Sequence, residues 1–402
     1  MTTKAPHAAW PAVQYEPRPW RRPDIEVASR RQKRAAVGEY RAALVPAIAD
    51  REVPLAAETL AIADDASKEL TRFDAETGSF AAPFAAILLR TESASSSEVE
   101  HLTASAKQVA LAELDRSDST NAQLVVANVR AMQAAIALAN RLDEEAIIAM
   151  HEALLEASAP HFIGGWRDQQ VWIGGGSFSP HHATFVPPHQ DRVPALMSDL
   201  VRFADRADVP ALAHAAIAHA QFETIHPFPD GNGRTGRALL HGMLRAADVT
   251  RNVAVPVSAG LLGDLDAYFL ALTRYRQGEP DAIVEAVAEA AFRAVANGRT
   301  LVGELQEIAA SWDAHVKARS DAAVHRVKSH LLQHPVVTAA SIAEAVGVSE
   351  VAAQTSIDKL AAAGVLTRAA GGARYRVWQA TEVLAALDAF AARARRARAF
   401  SA

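Results

Sequence analysis

The segment FETIHPFPDGNGRTGRALLHGML, residues 222–244, joins two apolar helical patterns through a connection rich in polar residues, proline and glycine. A connection between two packed helices needs only one glycine or proline to end the first helix. This connection, HPFPDGNGRTGR, holds two prolines, three glycines, one carboxylate and two arginines. The flanking patterns predict a helical core, and the surplus of polar groups between them indicates a functional site.

The composition limits the class of protein. The chain has 402 residues, of which 50% are hydrophobic, with a formal net charge of −5 and no cysteine. The lack of cysteine excludes disulfides and cysteine-based zinc sites and suits a reducing cytoplasm. The acidic balance argues against a surface built throughout for nucleic acid, and the sequence has neither a signal-peptide pattern nor an apolar run of membrane-helix length. We therefore expect a cytoplasmic protein with no membrane partner.

Hydrophobic periodicity predicts a mainly helical fold with few strands. Proline-rich residues 1–25 predict an extended arm, and residues 37–45 predict a helix. The serine-rich stretch TESASSSEVEH, residues 91–101, predicts a turn before a helix over residues 98–112. Residues 170–173 and 183–186 are β-leaning runs on either side of a Gly/Ser/Pro segment, which predicts a β-hairpin with a long tip.

The C-terminal part changes character. A linker helix over residues 301–333 precedes residues 334–380, where helix, Gly347 turn, helix and two short strands predict a winged helix-turn-helix. Residues 381–402 predict a basic helix and tail. The expected recognition helix, residues 349–363, has Lys359 as its single cation, whereas phosphate contacts usually need several. DNA binding, helped by Arg368, Arg374 and Arg376, and protein contacts such as target recruitment or dimerisation both remain open, and protein contacts are favoured.

The residues of the central connection suit phosphate chemistry. His226 follows the first helix and is the side chain there whose ordinary pKa suits a general base near neutral pH. Asp230 is a hard oxygen ligand suited to Mg²⁺. Gly231 and Gly233 let backbone N–H groups approach an anion closely, and Asn232 offers an amide donor between them.

The second helix adds positive charge to the same place. Its N-terminus presents unpaired N–H groups and the positive end of the helix dipole. Arg234 and Arg237 lie on one face of its first turn, where guanidinium groups match phosphate oxygens. Phe228 is expected to anchor the connection in the core. Together these residues predict a site for a polyphosphate and a proton transfer.

The segment resembles the signature of the Fic family, H-x-F-x-(D/E)-G-N-G-R-x-x-R, at every specified position. The resemblance implies a Fic helical core, which we place at residues 106–300, with a β-hairpin flap. Residues 1–105 would form an N-terminal arm and helical region. Family members mostly transfer AMP from ATP to a Ser, Thr or Tyr hydroxyl of a protein, so the resemblance implies a protein adenylyltransferase that uses ATP and Mg²⁺.

The resemblance also implies a role for each motif residue. His226 would deprotonate the target hydroxyl, and Asp230 would hold Mg²⁺. Asn232 and the backbone N–H groups of the loop, including those of Gly231 and Gly233, would stabilise the α-phosphate in the transition state. Two arginines complete the site, the β-phosphate being bound by Arg234 and the γ-phosphate by Arg237.

The family's flap pairs with the target protein as an added strand. The predicted hairpin, QVWIGGGSFSPHHATFVPP, has the corresponding position and pattern. We therefore expect main-chain pairing with the target around Ile173, Gly174, Thr184 and Phe185, which fixes a hydroxyl with little demand on the target's sequence.

Many family members carry an inhibitory helix with the pattern (S/T)-x-x-x-E-(G/N). Ser96 and Glu100 have this spacing, and His101 departs from the pattern at its last position. In the family the glutamate pairs with the second motif arginine, here Arg237, and blocks the γ-phosphate. The alternative is structural, because Ser97 and Glu100 also have the spacing of a capping box at a helix N-terminus.

The sequence therefore predicts an autoinhibited protein adenylyltransferase that modifies a target protein or itself. Two alternatives stay open. The same site could remove AMP or use another nucleotide donor, because the motif binds phosphates and does not select a base. The chain could also be a DNA-binding regulator whose nucleotide site only senses, although a sensor needs no base such as His226. The resemblance also implies a homodimer.

Overall fold

The computed structural model describes residues 9–20, 37–78, 83–176, 178–316, 323–369 and 376–396. The chain divides into two compact units. Unit 1 gathers residues 1–64, 134–246 and 266–286, and unit 2 gathers residues 65–133, 247–265 and 287–402. Each unit combines distant stretches of chain, whereas the domains expected from the sequence are continuous ranges. Those domain boundaries stay a prediction.

Helices dominate the described residues, as predicted. The helices are α1 (Ala57–Gly78), α2 (Pro83–Val99), α3 (Ala106–Glu113), α4 (Thr120–Ala137), α5 (Glu144–Leu155), α6 (Val193–Ala204), α7 (Ala211–Ile225), α8 (Asn232–Ala246), α9 (Val257–Leu262), α10 (Leu265–Arg276), α11 (Pro280–His315), α12 (Ala323–Gln333), α13 (Ala339–Val346), α14 (Glu350–Ala362) and α15 (Thr381–Arg396). The strands are β1 (Gln14–Pro19), β2 (Glu39–Leu44), β3 (Val336–Val337), β4 (Thr367–Arg368) and β5 (Trp378–Gln379). None of the helices in the described ranges combines the length and apolar composition that crossing a bilayer requires.

The core of unit 1 is the antiparallel pair α7 and α8. Residues 212–225 of α7 are all buried, as are residues 232–244 of α8. A helix buried on every side needs small residues and partners for its polar groups. Alanines supply the small surface, and His219 Nε2 pairs with the Tyr268 hydroxyl at 2.7 Å. A Cβ at Gly236 would lie 2.9 Å from Cδ1 of Phe222, so the close approach of the two helices requires glycine there.

The N-terminal strands of unit 1 correct one prediction. The expected extended arm is confirmed over residues 14–19, where β1 pairs antiparallel with β2 and Tyr15 lies opposite Ala43; residues 1–8 and 21–25 of that arm lie outside the described residues. The helix predicted over residues 37–45 is wrong, because β2 occupies 39–44. Its burial alternates, with Glu39 and Arg41 exposed and Tyr40 and Ala42 buried. Short apolar runs fit both periods, and strand pairing decides between them.

The predicted flap hairpin is less regular than expected. Its two arms meet at one antiparallel bridge, Ile173 to Phe185, and the described residues around it form no named strand. Gly174, Gly175 and Gly176 have φ values of 72°, 74° and 91°. A Cβ on Gly175 would lie 2.1 Å from the carbonyl oxygen of His182. Three left-handed residues in a row take the chain out of the extended region, so strand pairing stops beside the bridge.

In unit 2, the predicted serine-rich turn is wrong, because residues 91–99 belong to α2. Ser97 lies inside this helix, and its Oγ donates to the carbonyl oxygen of Ser93 at 2.9 Å. Asn128 Nδ2 donates to that same carbonyl at 2.8 Å and to Ser97 Oγ at 3.3 Å. The capping-box alternative fails for the same reason: Ser97 precedes no helix start, and Ser105 caps α3 instead.

The end of α2 explains the family preference for Gly or Asn after the glutamate. The His101 N–H donates to the carbonyl of Glu98 at 2.8 Å, and the Leu102 N–H donates to the carbonyl of Ser97 at 3.0 Å. This pair of bonds is the Schellman motif, which requires a left-handed residue just past the helix end. His101 is that residue, with a φ of 61°. Glu100 is therefore the last residue before the reversal and is exposed.

The described residues between 323 and 396 follow the predicted order of helix, helix, turn, helix and two strands, and β3 is an additional strand that the sequence did not predict. Gly347 ends α13 in the left-handed conformation with a φ of 68°. The strands form one antiparallel sheet in the order β3-β5-β4. Ala110 of α3 packs in one core cluster with Val336 and Leu384. Arg374 and residues 397–402 lie outside the described residues, and the assignment as a winged helix stays a prediction.

We expect His101→Gly to raise the free energy of unfolding by about 0.5–1 kcal/mol. Glycine removes a left-handed strain of about 1–2 kcal/mol and loses part of this gain to its greater freedom in the unfolded chain. Urea denaturation of both proteins measures the difference. His101→Ala keeps the Cβ and is the matched control; an equal gain in that variant would show that the backbone conformation is not the cause.

Candidate active site

The motif loop connects α7 to α8 inside unit 1. His226 leaves the helical conformation with φ 52° and ψ 63°, while its N–H still donates to the carbonyl of Phe222 at 2.8 Å. The next helix begins when the Thr235 N–H reaches the carbonyl of Gly231 at 3.0 Å. The loop therefore spans residues 226–231, and its backbone groups need partners that are not helical.

Arg167 supplies two of those partners, at the first two residues of the loop. It is 3% exposed, and its guanidinium donates to the carbonyl oxygens of His226 at 2.8 Å and Pro188 at 2.6 Å. Its backbone N–H donates to the carbonyl of Pro227 at 2.9 Å. Burial lowers the pKa of Arg167 to about 10, which leaves it charged at neutral pH. One buried cation thus fixes the backbone of the expected general base.

Asn232 closes the loop through both atoms of its amide. Its Oδ1 accepts from the Phe228 N–H at 2.9 Å, and its Nδ2 donates to the Phe228 carbonyl at 2.8 Å. The side chain is thus first a structural clasp that binds the backbone four residues earlier. A second N–H of the amide is not used in this clasp, and the predicted contact with an α-phosphate depends on that N–H.

Phe228 anchors the loop, as predicted, and His151 is its main partner. Phe228 is fully buried, and the two rings stack with centroids 3.7 Å apart and planes within 1°. His151 Nε2 lies 3.0 Å from the carbonyl oxygen of Asp230. Because a carbonyl only accepts, we assign the proton to Nε2. Burial lowers the pKa of His151 to about 4, so the ring is neutral at pH 7.

The start of α8 has the features of an anion site. Gly231 has a φ of 77°, and a Cβ there would lie 2.9 Å from Cδ2 of Leu154, so both the conformation and the space require glycine. Its N–H donates to Oδ1 of Asp230 at 2.7 Å. This carboxylate oxygen is thus bound by the N–H one residue before the start of α8, on the side where the helix dipole favours negative charge. Gly233 is buried in the first turn of the helix.

Asp230 fits the expected metal ligand. Its side chain is 60% exposed, in contrast to the buried residues around it. Among the residues that the structure describes, no group of three or more His, Cys, Asp or Glu side chains is placed to hold a metal ion. A single exposed carboxylate suits Mg²⁺, which proteins commonly hold through one or two carboxylates together with substrate phosphates.

The remaining motif residues surround this helix start. Arg234 and Arg237 are 4% and 2% exposed, and Nη2 of Arg234 lies 3.9 Å from Oδ1 of Asp230. Glu223, one turn before the loop, places Oε2 at 3.8 Å from Nδ1 of His226. This carboxylate faces one nitrogen of the imidazole, and the His226 side chain keeps 20% exposure for a substrate.

The flap residues also belong to unit 1. The Thr184 N–H donates to the Ile173 carbonyl at 2.8 Å, and the Ile173 N–H donates to the Phe185 carbonyl at 2.9 Å. A Cβ on Gly174 would lie 2.5 Å from Oγ1 of Thr184. Arg276 lies over the Phe185 ring at 3.8 Å. The four predicted target-binding residues therefore meet at one bridge, and their pairing with a target stays a prediction.

The expected inhibitory residues belong to unit 2. Ser96 is fully buried in α2, and Glu100 is exposed at the end of that helix. Their spacing places the glutamate at a helix terminus, as the sequence pattern requires. Their inhibitory role stays a prediction.

Sequence reasoning missed Arg167, His151 and the clasp formed by Asn232. Arg167 lies 59 residues before the carbonyl it binds at His226, and no local pattern connects them. His151 gave a weak signal: it is a lone histidine in the apolar run EEAIIAMHEALL of α5. Such a histidine is usually a buried side chain with a hydrogen-bond partner, and here the partner is the motif loop.

We expect Arg167→Lys to lower the free energy of unfolding by about 3 kcal/mol. A lysine has one nitrogen to replace the fork of the guanidinium and leaves buried carbonyls without donors. Urea denaturation checks this. The control is Arg141→Lys, whose parent side chain is 67% exposed and which should stay within about 0.5 kcal/mol of wild type. Similar losses in both variants would contradict the role of Arg167.

Acid should destabilise the fold through His151. Its pKa is about 4 when folded, against an ordinary 6.5, so the unfolded chain binds an extra proton between these pH values and stability falls as the pH drops. His151→Phe keeps the stacked ring and removes the titration. The free energy of unfolding of His151→Phe should therefore fall less steeply with decreasing pH than that of wild type. The difference in slope should be up to about 1.4 kcal/mol per pH unit.

Denaturation between pH 4 and 6.5 without divalent cations measures this slope. The control is His161→Phe, since His161 is exposed. An unchanged slope in His151→Phe would mean that His151 is not the responsible group.

Comparison with known proteins agrees with this geometry. Residues 141–244 match the model of the Fic/DOC family. A probable protein adenylyltransferase of Aquifex aeolicus is 40% identical over 81 residues, which are 20% of this chain and 23% of that protein. The protein adenylyltransferase Fic of Drosophila erecta is 32% identical over 104 residues, 25% of this chain and 19% of that protein. The chain thus spans about a fifth of the length of these curated relatives.

A solved structure resembles the chain more widely. A crystal structure of a Fic family protein from Desulfovibrio desulfuricans aligns with a TM-score of 0.52 and 20% identity, covering 81% of this chain and 97% of that one. This likeness is one of fold. The family match is confined to residues 141–244, which include α5 to α7 and the complete motif, so the Fic/DOC domain is shown for this part of the chain.

Proposed function

We propose that this protein transfers AMP from ATP to a hydroxyl side chain of a protein. The observation that carries the proposal is the rigid loop between α7 and α8. It holds an accessible imidazole, an exposed carboxylate and a helix N-terminus within the same few residues. Phosphoryl-type transfer depends on positioning, charge neutralisation and one base, and this loop offers all three. The names of the matched relatives agree with this chemistry.

The proposed reaction is a displacement at the α-phosphorus of ATP. His226 accepts the proton of the target hydroxyl, and the oxygen forms a bond to the α-phosphorus. The bond from that phosphorus to the bridging oxygen of the β-phosphate breaks, and pyrophosphate leaves. N–H groups at the start of α8 and the free amide N–H of Asn232 bind the α-phosphate oxygens, while Arg234 and Arg237 bind the β- and γ-phosphates. Mg²⁺ held by Asp230 supplies charge neutralisation of the phosphates when it is bound.

The proposal includes inhibition by Glu100. In the family pattern this glutamate pairs with the arginine that binds the γ-phosphate, here Arg237. Two observations within unit 2 agree with this role: Glu100 is the last residue before the Schellman turn that ends α2, and its side chain is exposed there. A carboxylate paired with that guanidinium would compete with the γ-phosphate for the same donors.

The C-terminal residues are better suited to protein contacts than to DNA. The exposed face of α14 carries Glu350, Asp358 and Lys359. Gln354 donates its amide to Asp358 at 2.8 Å, so that side chain is already engaged. Two acidic side chains and one basic side chain exposed along this helix give a charge balance that opposes phosphate binding. We propose that this part recruits targets or partners.

The decisive experiment follows the transfer of label from α-³²P-ATP to protein in the presence of Mg²⁺. We expect Glu100→Gly to label itself or an added target at least 10-fold more than wild type. Glu100→Gly/His226→Ala should lose this labelling by 100-fold or more, in the range that a general base contributes. The control is His161→Ala in the Glu100→Gly background, which should keep the labelling.

Different outcomes separate the parts of the proposal. Equal labelling of wild type and Glu100→Gly would remove the inhibitory role. Labelling that persists without His226 would remove the base. If no variant is labelled, the same variants are tested with other nucleotides and for release of AMP from modified protein, and transfer from ATP is abandoned.

A further inference from the structure

The last turn of α2 carries an electrostatic problem. Glu98 and Glu100 lie at its C-terminal end, where the helix dipole disfavours carboxylates. The last turn of this helix has no basic residue. A cation from elsewhere is therefore needed to hold this end of the helix in one place.

Arg395 of α15 supplies that cation. Its Nε donates to Oε1 of Glu98 and its Nη2 donates to Oε2 at 3.0 Å, so the pair is bidentate. Glu98 is 17% exposed at its side chain and Arg395 is 51% exposed. The hydrogen bond to Glu98 raises the pKa of Arg395. The partners are 297 residues apart in the sequence, so the contact connects the C-terminal helix to the residues that precede Glu100.

Helix α15 is itself fixed near this contact. Arg393 donates to Oδ1 of Asn297 at 2.7 Å and to both oxygens of Glu304 at 2.8 and 3.1 Å. Asn297 Nδ2 donates to the carbonyl of Phe390 at 3.1 Å. These bonds hold α15 against α11. The position of Arg395 is therefore set by α11 and not by the end of α2.

The other part of α2 is held separately. Arg90 is 7% exposed, and it pairs with Glu113 at 2.6 and 3.0 Å and donates to the carbonyl of Gln333 at 2.5 Å. Between the end of α2 and α15 there is a cavity lined by apolar and polar groups, among them Ser95, Leu387 and Phe390. Ser96, Ser97 and Val99 are buried in the last turn of α2, so the ion pair adds to this packing on the outer side of the turn, where Glu98 is partly exposed and Glu100 is exposed.

We propose that the Arg395–Glu98 pair is a latch that keeps the last turn of α2, and with it Glu100, in the inhibiting position. Anything that draws Arg395 away frees this turn and relieves the inhibition. The C-terminal helix thereby controls the transfer reaction without touching its substrates. The latch rests on the proposed inhibitory role of Glu100, and it adds the contact that sets how firmly this glutamate is held.

A charge exchange tests the latch. Arg395→Glu places two carboxylates together at the end of α2, and Glu98→Arg/Arg395→Glu restores an opposite pair. We expect Arg395→Glu to label about 3- to 10-fold more than wild type, consistent with the modest strength of partly exposed pairs. The double variant should return close to wild type. Arg396→Glu, with the same charge change at the exposed next residue, is the matched control and should label as wild type does.

A second readout does not depend on activity. The amides of Glu100, His101 and Leu102 donate to carbonyls of the last turn of α2. Hydrogen exchange of a peptide covering residues 97–102 should be about 3- to 10-fold faster in Arg395→Glu and should recover in the double variant. Unchanged exchange in Arg395→Glu, or no recovery in the double variant, would overturn the latch.

Adding Glu100→Gly distinguishes a failed latch from a failed inhibitory role. If Glu100→Gly activates and Arg395→Glu does not, the latch is wrong and the inhibition stands. If neither activates although exchange rises in Arg395→Glu, the contact holds the helix end but Glu100 does not inhibit, and the latch as a regulator is also overturned. In the Glu100→Gly background, Arg395→Glu should give no further increase.

Discussion

Where a helix ends inside a protein core, the backbone carbonyls past its end need other hydrogen-bond donors. The candidate site is arranged around this requirement. After Ile225 the chain leaves the helical conformation between two helices that are buried almost completely. Arg167 meets the requirement from outside the motif by donating to the carbonyl of His226 and to that of Pro188. Because the backbone of His226 is fixed in this way, its imidazole can keep one orientation while part of the side chain stays exposed. A base on a mobile loop would lose that precision, because orientation contributes much of the rate in transfer reactions.

The motif divides its work between residues that hold the loop and residues that face the substrate. Phe228 and the oxygen of the Asn232 amide face inward, and His151 completes this inner layer as a neutral donor to Asp230. Asp230 sends its carboxylate outward from the same backbone, where 60% of the side chain is exposed. The motif specifies the residue type at so many positions because nearly every residue in it has either a packing role or a chemical one. Asn232 has both, since its clasp and its proposed phosphate contact use different atoms of one amide.

The sequence predicted best what local chemistry decides. The loop, the helix start that follows it and the anchoring by Phe228 follow from residue types in one short stretch. The wrong predictions concern segments whose sequence fits two kinds of local structure equally well. Residues 37–45 fit both a helix and a strand, and pairing with β1 decided for the strand. The serines of residues 91–97 looked like a turn, but inside α2 the hydroxyls of Ser93 and Ser97 donate to carbonyls one turn earlier, and Asn128 donates to the Ser97 hydroxyl. Arg167 and Arg395 could not be predicted, because their partners are distant in sequence.

The regulatory role proposed for the end of α2 depends on interactions that are individually weak. His101 accepts a left-handed conformation that glycine would adopt with less strain, and Glu98 needs a cation from α15. The left-handed strain amounts to about 1–2 kcal/mol, and the partly exposed ion pair contributes about 1 kcal/mol or less. A difference of that size shifts an equilibrium by about fivefold, which is enough to change activity and too small to unfold the helix. Arg90, buried beside Glu113, meanwhile keeps the rest of α2 in place. In the proposed latch, a partly exposed ion pair on the outer side of an otherwise buried helix end changes how Glu100 is held and leaves the fold that carries it intact.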